Sequence, residues 1–366
     1  MTITLKRDTI LKPISKVVAV SEKKTSMPIL SNLLISFGVD QSYIYATDLD
    51  VSAIAHFQCD VQKDMKILIN GKRFYDILKE LNNDNITISS AELTEGDLKI
   101  SQHKTHFALS IQDPDDFPEL PEIESNNEIW LDGDVFLDIV GKIDFALSKD
   151  LTRYTLMGMY IEGKASTITA VGTDGFRMAI LTKEVDGEFD FNGIIIPQRT
   201  LQELKRVTDR TDKIRLLIGT NKIKFIINET ILISRLLEGK YPDFRNIIPV
   251  NKNKCIVSRG DFLKGLKRVL AIMDRHGVIS LTIDGHVVEL AGESDVGGVK
   301  EIIDVEYNGM GTSMNFNIEY LLDAVSHIDE DAIFINIPDT SGPTVFMGNG
   351  NDTYINIIMP IIRRLI

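Results

Sequence analysis

The sequence predicts an α+β protein built from three similar domains, and two observations support that prediction: a helical pattern that recurs, and short strands between its copies. The pattern places apolar residues at i, i+1, i+4 and i+7, which is one face of an α-helix. Each copy lies 126 positions after the previous one. The copies are Ile10, Leu11, Ile14, Val17; Phe136, Leu137, Val140, Ile143; and Phe262, Leu263, Leu266, Val269. Such a period is too long for a solenoid and fits one small domain.

A second amphipathic helix follows the first one in each repeat. Its apolar residues are Ile77, Leu78, Leu81; Leu201, Leu204, Val207; and Tyr320, Leu321, Val325. With their flanks, the six predicted helices occupy residues 5–24, 71–81, 131–153, 197–210, 258–275 and 317–328. In the first helix Asp8 is the expected N-cap. Pro13 predicts a late start or a kink, because its missing N–H would otherwise bond the carbonyl of Thr9.

Short apolar runs between turns predict the strands. They lie at 33–37, 43–46, 66–69, 86–88, 98–100, 107–109, 158–161, 167–170, 194–196, 214–218, 222–227, 231–234, 279–283, 287–290, 302–305, 333–337, 344–347 and 353–359. Two helices with largely antiparallel sheets in each repeat give an α+β domain. Turn-rich segments at 118–127 and 249–254 separate the repeats, so we expect domains at 1–125, 126–253 and 254–366.

Composition excludes several classes of protein. With 43% hydrophobic and 25% charged residues, the chain can bury real cores and is neither disordered nor fibrous. Cys59 and Cys255 lie in different repeats with no pairing pattern, which favours reduced thiols. Residues 1–11 lack the apolar core of a signal peptide, and no apolar run approaches the ~20 residues of a membrane span. We therefore expect a cytoplasmic protein.

Basic residues concentrate in the helices although the net charge is −13. The six predicted helices with their flanks hold 21 Lys and Arg against 15 Asp and Glu, or +6, which leaves −19 for the rest of the chain. The polar helix faces include Lys12, Lys16, Lys205, Arg206, Lys264, Lys267 and Arg268. A solvated helix face explains any single cluster. Recurrence in three repeats favours a shared basic surface that binds phosphates without reading sequence.

No catalytic or metal site is expected. His103 and His106 stand three apart in a predicted strand, where side chains alternate faces, so they are poorly placed to share a metal. Asp113, Asp115 and Asp116 lack the ligand spacing and the turning glycine of a divalent-ion loop. The run 172–175 matches neither a phosphate-binding loop nor a dinucleotide fingerprint, and no nucleophile elbow occurs. We expect no cofactor and no intrinsic enzymatic activity.

Several motifs resemble those of the bacterial sliding clamps, the beta subunits of DNA polymerase III. The strongest are Thr173-Asp174-Gly175-Phe176-Arg177-Met178-Ala179, Glu238-Gly239-Lys240-Tyr241-Pro242-Asp243-Phe244 and Met359-Pro360. Supporting matches are Met27-Pro28-Ile29-Leu30-Ser31-Asn32-Leu33, Thr47-Asp48-Leu49-Asp50, Asp116-Phe117-Pro118 and Ile196-Pro197. The similarity runs in order over residues 1–359.

The resemblance implies a head-to-tail homodimer that forms a ring of six clamp domains around duplex DNA. Helices would line the hole, and the acidic exterior would keep the ring soluble. Contacts to phosphates alone would let the ring slide, while a tethered polymerase would rebind at a high effective concentration. The implied partners are the polymerase alpha subunit, the clamp loader and other proteins with clamp-binding motifs, including proteins of DNA repair.

The resemblance also implies a hydrophobic peptide-binding pocket. Its residues would be Leu156, Thr173, Gly175, Phe176, Arg177, Met178, Pro242, Ile247, Ser341, Pro343, Ile357, Met359, Pro360 and Ile361. Such residues suit an extended peptide with apolar anchors. Without the resemblance, domain-packing core would be the simpler explanation. Phe176 replaces a histidine that is frequent in the family, and the tail after Ile361 is longer than usual.

Positions for DNA binding and for the subunit interface follow in the same way. The resemblance implies DNA contacts at Lys24, Lys149 and Tyr154, and the predicted helices add the basic residues Arg199, Lys205, Arg206, Lys264, Lys267 and Arg268 as candidates. At the interface, Phe107 and Leu109 on an edge strand would face Ile272 and Met273 of the second subunit. Pairing across the boundary would hide strand edges that otherwise invite aggregation.

Two other functions stay open at this point. One is an enzyme acting on DNA, such as a nuclease. The other is an RNA-binding or structural ring, for which the stacking aromatics of single-strand recognition are missing, since Trp130 is the one tryptophan.

Overall fold

The structure is a computed structural model that describes residues 2–21, 27–91, 93–125, 127–250, 253–307, 309–338 and 342–362. Its helices are α1 (Arg7–Ser21), α2 (Gly71–Glu80), α3 (Gly133–Ile143), α4 (Gln198–Val207), α5 (Arg259–Leu270) and α6 (Ile318–Ser326). Every predicted helix is therefore confirmed. Within the described residues, no helix is long and apolar enough to cross a membrane.

Strands account for most of the remaining chain. They are β1 (Thr2–Lys6), β2 (Asn32–Phe37), β3 (Ser42–Thr47), β4 (Val51–Phe57), β5 (Met65–Asn70), β6 (Asn85–Ser89), β7 (Asp97–Gln102), β8 (Thr105–Gln112), β9 (Asn127–Asp132), β10 (Gly158–Thr173), β11 (Arg177–Pro197), β12 (Lys213–Ile218), β13 (Lys222–Ile227), β14 (Thr230–Arg235), β15 (Asn253–Ser258), β16 (Val278–Asp284), β17 (Val287–Ser294), β18 (Gly297–Asp304), β19 (Glu306–Tyr307), β20 (Thr312–Asn317), β21 (Ala332–Ile337), β22 (Thr344–Gly348) and β23 (Tyr354–Ile358). The strand pairings within the described residues are antiparallel, as expected. The sequence prediction missed β1, β4, β9, β15, β19 and β20.

The chain folds into two compact units whose boundaries do not follow the three repeats. The first unit comprises residues 1–137 and 199–236, and the second comprises 138–198 and 237–366. The first contains one sheet in the order β1-β6-β7-β8-β5-β2-β3-β4-β14-β13-β12-β9. The second contains the sheets β10-β11-β23-β22-β21-β15-β19 and β18-β17-β16-β20. The middle repeat is divided because β14 pairs with β4 of the first repeat and β11 pairs with β23 of the third.

Apolar helix faces form the cores, as the sequence pattern predicts. In α1, Ile10, Ile14 and Val17 are fully buried. In α5, Phe262, Leu266 and Val269 are fully buried as well. Helices α1 and α2 pack together in the first unit, and α5 packs on α6 and β18 in the second. Such burial of aliphatic side chains stabilises each fold by about 1.5–3 kcal/mol per side chain.

The first helix starts differently from the prediction. It begins at Arg7, so Asp8 lies in the first turn instead of serving as the N-cap, and Pro13 stands inside the helix. Strand β1 leads directly into the helix, and the Arg7 N–H donates to the carbonyl of Asp84 at 2.9 Å. That long-range bond satisfies a terminal N–H that a cap would otherwise have to accept.

Candidate functional site

A tight turn joins β10 to β11 at Thr173–Arg177. The Asp174 carboxylate accepts the N–H groups of Phe176 and Arg177 at 2.9 and 3.0 Å, and the Thr173 hydroxyl donates to the Arg177 carbonyl at 2.6 Å. Gly175 has φ of +88°, a conformation that costs glycine little. The turn holds Phe176 outward, and its side chain is 53% exposed.

The guanidinium of Arg177 ties this turn to two other elements. It binds the carboxylates of Asp174 at 3.1 Å and of Asp323 in α6 at 2.5 Å, and it donates to the carbonyl of Phe145 at 2.6 Å. The rings of Phe145 and Tyr320 lie 5.4 and 4.4 Å from it. Since these contacts occupy its donors and only 12% of its side chain is exposed, Arg177 positions the turn.

An apolar floor lies beside the turn. Met178 of β11 and Ile357 of β23 are register partners, and both are buried. They share one cluster with Val171, Tyr241 and the half-buried Leu156. The Tyr241 ring stacks on Tyr160 at 4.8 Å, and its burial raises the pKa of its hydroxyl. Buried aromatic packing of this kind gives the floor a fixed shape.

Four exposed apolar side chains belong to segments that adjoin the floor residues along the chain. Phe176, Ile247, Met359 and Ile361 are 53%, 40%, 42% and 36% exposed. The Met359 N–H donates to the carbonyl of Phe176 at 2.8 Å, which connects the end of β23 to the turn. Exposed apolar side chains near a buried apolar floor are typical of a ligand groove.

Most of the pocket residues predicted from the sequence gather around this groove, in the second unit. Thr173 is buried, Pro343 and Pro360 are half-buried, and Gly175 and Pro242 are exposed. Ser341 lies outside the described residues.

Arg153 is a groove residue that the sequence analysis missed. Its guanidinium lies 5.0 Å from the centre of the Phe176 ring and donates to the carbonyl of Asp174 at 2.6 Å. It also pairs with Asp150 at 3.6 Å. A cation over an aromatic face stabilises that face, so Arg153 supports the wall that Phe176 forms. The family resemblance pointed to its neighbours Tyr154 and Leu156 but gave no signal for Arg153 itself.

The predicted DNA-binding cations of the first unit differ in their surroundings. Lys205 is exposed on α4. Arg199, only 23% exposed, binds the carboxylate of Asp48 at 3.1 Å, and Arg206 pairs with Glu203 at 3.0 Å. Lys24 lies outside the described residues.

The second unit presents the remaining cations. Lys264 and Lys267 are exposed on α5, and Lys149 is exposed just after α3. Arg268 forms a two-point ion pair with Glu301, and that hydrogen bond holds the pKa of the Glu301 carboxyl below its ordinary value. Tyr154 is 53% exposed. Arg199, Arg206 and Arg268 already pair with carboxylates, whereas Lys264 and Lys267 are exposed on α5 and are better placed to meet phosphates.

The predicted interface residues lie at or near open strand edges. Residues 105–110 of β8 pair with β7, while β5 reaches β8 only at Ile111 and Gln112. One side of that stretch therefore has no strand partner among the described residues, and Phe107 and Leu109 there are half-buried. In the second unit β18 pairs with β17 and with no other strand of the described ranges. Ile272 and Met273 are half-buried and line a cavity of about 470 Å³.

Family profiles match the chain along nearly its whole length. "DNA polymerase III beta subunit, N-terminal domain" matches residues 1–121, the central-domain profile matches 130–243, and the C-terminal-domain profile matches 245–362. The beta sliding clamp of Staphylococcus epidermidis is 28% identical over 375 aligned positions, which cover 99% of each chain. That of Staphylococcus aureus is 27% identical with the same coverage.

Solved structures agree with this assignment. The sliding clamp of Bartonella birtlesii, solved with griselimycin, is 27% identical with a TM-score of 0.92 over 99% of this chain and 100% of its own. A DNA polymerase III beta subunit from Eubacterium rectale has a TM-score of 0.94 at 22% identity over 99% of each chain, which shows the shared fold. The repeats, the sheets and the matched profiles together mean that the chain belongs to the DNA polymerase III beta subunits, the family of the beta sliding clamps.

Proposed function

We propose that the protein is a processivity factor for a DNA polymerase: a homodimeric ring that encircles duplex DNA and slides without reading sequence. Its family assignment and three-domain organisation support this function. The exposed lysines of α4 and α5 offer contacts to phosphates, which give affinity without base recognition. The open edges of β8 and β18 offer backbone groups that a second copy could pair. Its part in replication is that of an accessory, non-catalytic subunit.

We further propose that the groove around Phe176 and Met359 is the docking site for partner peptides. The observation that supports this most directly is a rigid turn that holds an exposed apolar wall over a buried apolar floor. A glutamine followed by leucine and phenylalanine anchors would place its apolar side chains against Met178, Ile357 and Leu156. The polymerase alpha subunit, the clamp loader and repair proteins with such segments would compete for this groove.

Truncation of the chain after Ile358 tests this docking site. It removes Met359, Pro360 and Ile361 from one wall of the groove. The affinity for a fluorescently labelled Gln-Leu-Phe-type peptide should fall by about 100-fold or more, because a few anchors dominate such interfaces. Dimerisation and retention on DNA should remain, since neither uses these residues. A truncation after Ile362 is the matched control and should bind normally. Unchanged peptide affinity in a folded chain that ends at Ile358 would refute the site.

A further inference from the structure

The first unit contains a second turn with the same construction as the turn at the groove. Thr47–Val51 joins β3 to β4 and stands 126 positions before Thr173–Arg177. In both turns the aspartate accepts the backbone N–H groups two and three residues later, and the threonine hydroxyl accepts the one two residues later. The third residue has a positive φ in both, +77° at Leu49 and +88° at Gly175.

The strand beside each turn is also held in the same way. The Arg235 N–H donates to the carbonyl of Asp50 at 2.9 Å, as the Met359 N–H donates to that of Phe176 at 2.8 Å. Ile233 stands opposite Ser52 in the first unit, at the register position that Ile357 holds opposite Met178 in the second. The scaffold of the groove is therefore present twice.

A cavity of about 160 Å³ lies at the first turn. Tyr45, Ser52 and Ile233, all buried, contribute to its lining, together with the charged side chains of Lys222 and Arg235. Compared with the groove around Phe176, polar residues replace apolar ones: Asp50 stands for Phe176, Ser52 for Met178 and Arg235 for Met359. The same scaffold therefore offers hydrogen-bonding and charged groups, which an apolar anchor would leave without partners.

Lys222 and Arg235 indicate which ligand this cavity suits. They are direct cross-strand partners in β13 and β14, and like charges placed opposite each other destabilise a sheet. Within the described part of the chain neither forms an ion pair, and the half-buried Lys222 Nζ has only a long contact of 3.4 Å to the carbonyl of Glu122. A bound carboxylate would relieve this repulsion and form charge-assisted hydrogen bonds with both cations.

We propose that this cavity is a second docking site, for an extended peptide segment of a partner protein that inserts one acidic side chain between Lys222 and Arg235. The inference rests on the proposed function, because it treats the scaffold around Phe176 as a peptide site. Exposed Asp50 and Glu119 also line the cavity. They disfavour duplex DNA, which brings a charge about every 1.7 Å, but tolerate a single carboxylate on a neutral peptide.

Isoleucine methyl signals allow the two sites to be read separately in the full-length protein. We would label the δ1 methyl groups with ¹³C, assign Ile233 and Ile357 by substitution to valine, and titrate the capped peptide Gly-Leu-Asp-Leu-Gly-Gly. The Ile233 signal should move with a dissociation constant of about 1 mM. The asparagine twin, the same peptide with asparagine in place of aspartate, should bind more weakly by about fivefold or more. The protein variant Lys222→Ala/Arg235→Ala should lose affinity for the aspartate peptide by a similar factor. Asp50→Asn should strengthen it, because a like charge is removed.

Arg210→Ala/Lys213→Ala removes two exposed charges of the same unit outside the cavity and is the matched control. An Ile233 signal that stays still up to roughly 5 mM peptide would overturn the proposal. Equal binding of the asparagine twin, or a response of Ile233 to duplex DNA and not to peptide, would do the same. A Gln-Leu-Phe-type peptide should move Ile357 instead, so failure of the groove around Phe176 would be seen independently.

Discussion

At the scale of single residues, Arg177 and Arg199 solve the same structural problem from different positions. Arg177 bridges the turn aspartate Asp174 to Asp323 on α6, and Arg199 bridges Asp48 to Glu203 on its own helix α4. Each arginine therefore connects a turn aspartate to the second helix of the following repeat. Both side chains are largely buried, so their charges serve packing.

Arg177→Lys should weaken peptide binding by about tenfold, because lysine cannot form the several directed bonds of the guanidinium. The free energy of unfolding should fall by roughly 1–2 kcal/mol, because lysine keeps the positive charge but loses some of the hydrogen bonds that the guanidinium makes. Fluorescence anisotropy and urea unfolding measure the two effects. Arg245→Lys, an exposed arginine paired with Glu162, is the control and should change neither. Equal peptide affinity for Arg177→Lys and the original chain would contradict the positioning role.

Asp138 gives the second unit a pH-dependent contact. Burial raises the pKa of its carboxyl, but the hydrogen bond from Lys183 and the charges of Lys142 and Lys183 outweigh burial, so the net pKa lies below the ordinary 3.8. A group with a lowered folded pKa stabilises the fold above its unfolded pKa and loses that contribution as the pH falls. Near neutral pH the original chain should therefore have a higher melting temperature than the variant Asp138→Asn. This difference in melting temperature should shrink below about pH 4. A difference in melting temperature that does not change with pH would contradict this.

Arg199 separates two explanations for a basic residue on a helix. If its charge serves packing, Arg199→Ala should lower the melting temperature. The Asp48 side chain is only 10% exposed, and it would lose its cationic partner. Lys205→Ala should leave the melting temperature within about 1 °C, as is usual for an exposed surface site, yet weaken binding to duplex DNA. Thermal melts and DNA-binding assays on both variants check this pair. A stable Arg199→Ala variant that loses DNA affinity would mean that Arg199 contacts DNA after all.

At the scale of elements, two open strand edges are where the proposed dimer would form. Residues 105–110 of β8 and the strand β18 each leave one row of backbone groups without a strand partner among the described residues. The half-buried Phe107 and Leu109 on one edge, and the cavity beside Ile272 and Met273, are surfaces that a second copy would cover.

Ile272→Ala/Met273→Lys should convert the dimer to monomer at micromolar concentration. The change removes apolar burial and places a charge in the seam, which should cost several kcal/mol. Sedimentation velocity measures the oligomeric state. Trp130→Lys, an exposed residue on β9, is the control and should leave the dimer intact. A double variant that sediments entirely as a dimer would place the interface elsewhere.

At the scale of the whole molecule, the charge distribution suits a ring that holds DNA by enclosure. The helices are net basic while the chain as a whole carries −13. The protein should remain on circular duplex DNA and be lost when the circle is cut.

Changing Lys149, Lys264 and Lys267 to Glu should weaken direct DNA binding without creating a sequence preference, and direct binding should fall steeply with salt. Salt-insensitive binding, or a preference for one base sequence, would contradict phosphate contacts.

Much of the fold follows from the sequence because it depends on local patterns. The spacing of Phe262, Leu266 and Val269 places three side chains on one helix face, and those three are buried in α5. Strand β4 was missed because the small residues Ser52, Ala53 and Ala55 interrupt its apolar run, although the strand is almost entirely buried. The N-cap at Asp8 was wrong because a distant carbonyl, that of Asp84, satisfies the start of α1.

The sequence by itself determined the threefold repeat, the six helices and the motifs of the clamp family, since each is written in neighbouring residues. Only the tertiary structure decided that Arg199 and Arg268 are held by Asp48 and Glu301, and that Lys222 lies opposite Arg235. It also decided that the middle repeat is shared between two units. The physical reason is that ion pairs and cross-strand neighbours depend on how distant segments pair, and one strand can pair with several partners that have the same local pattern.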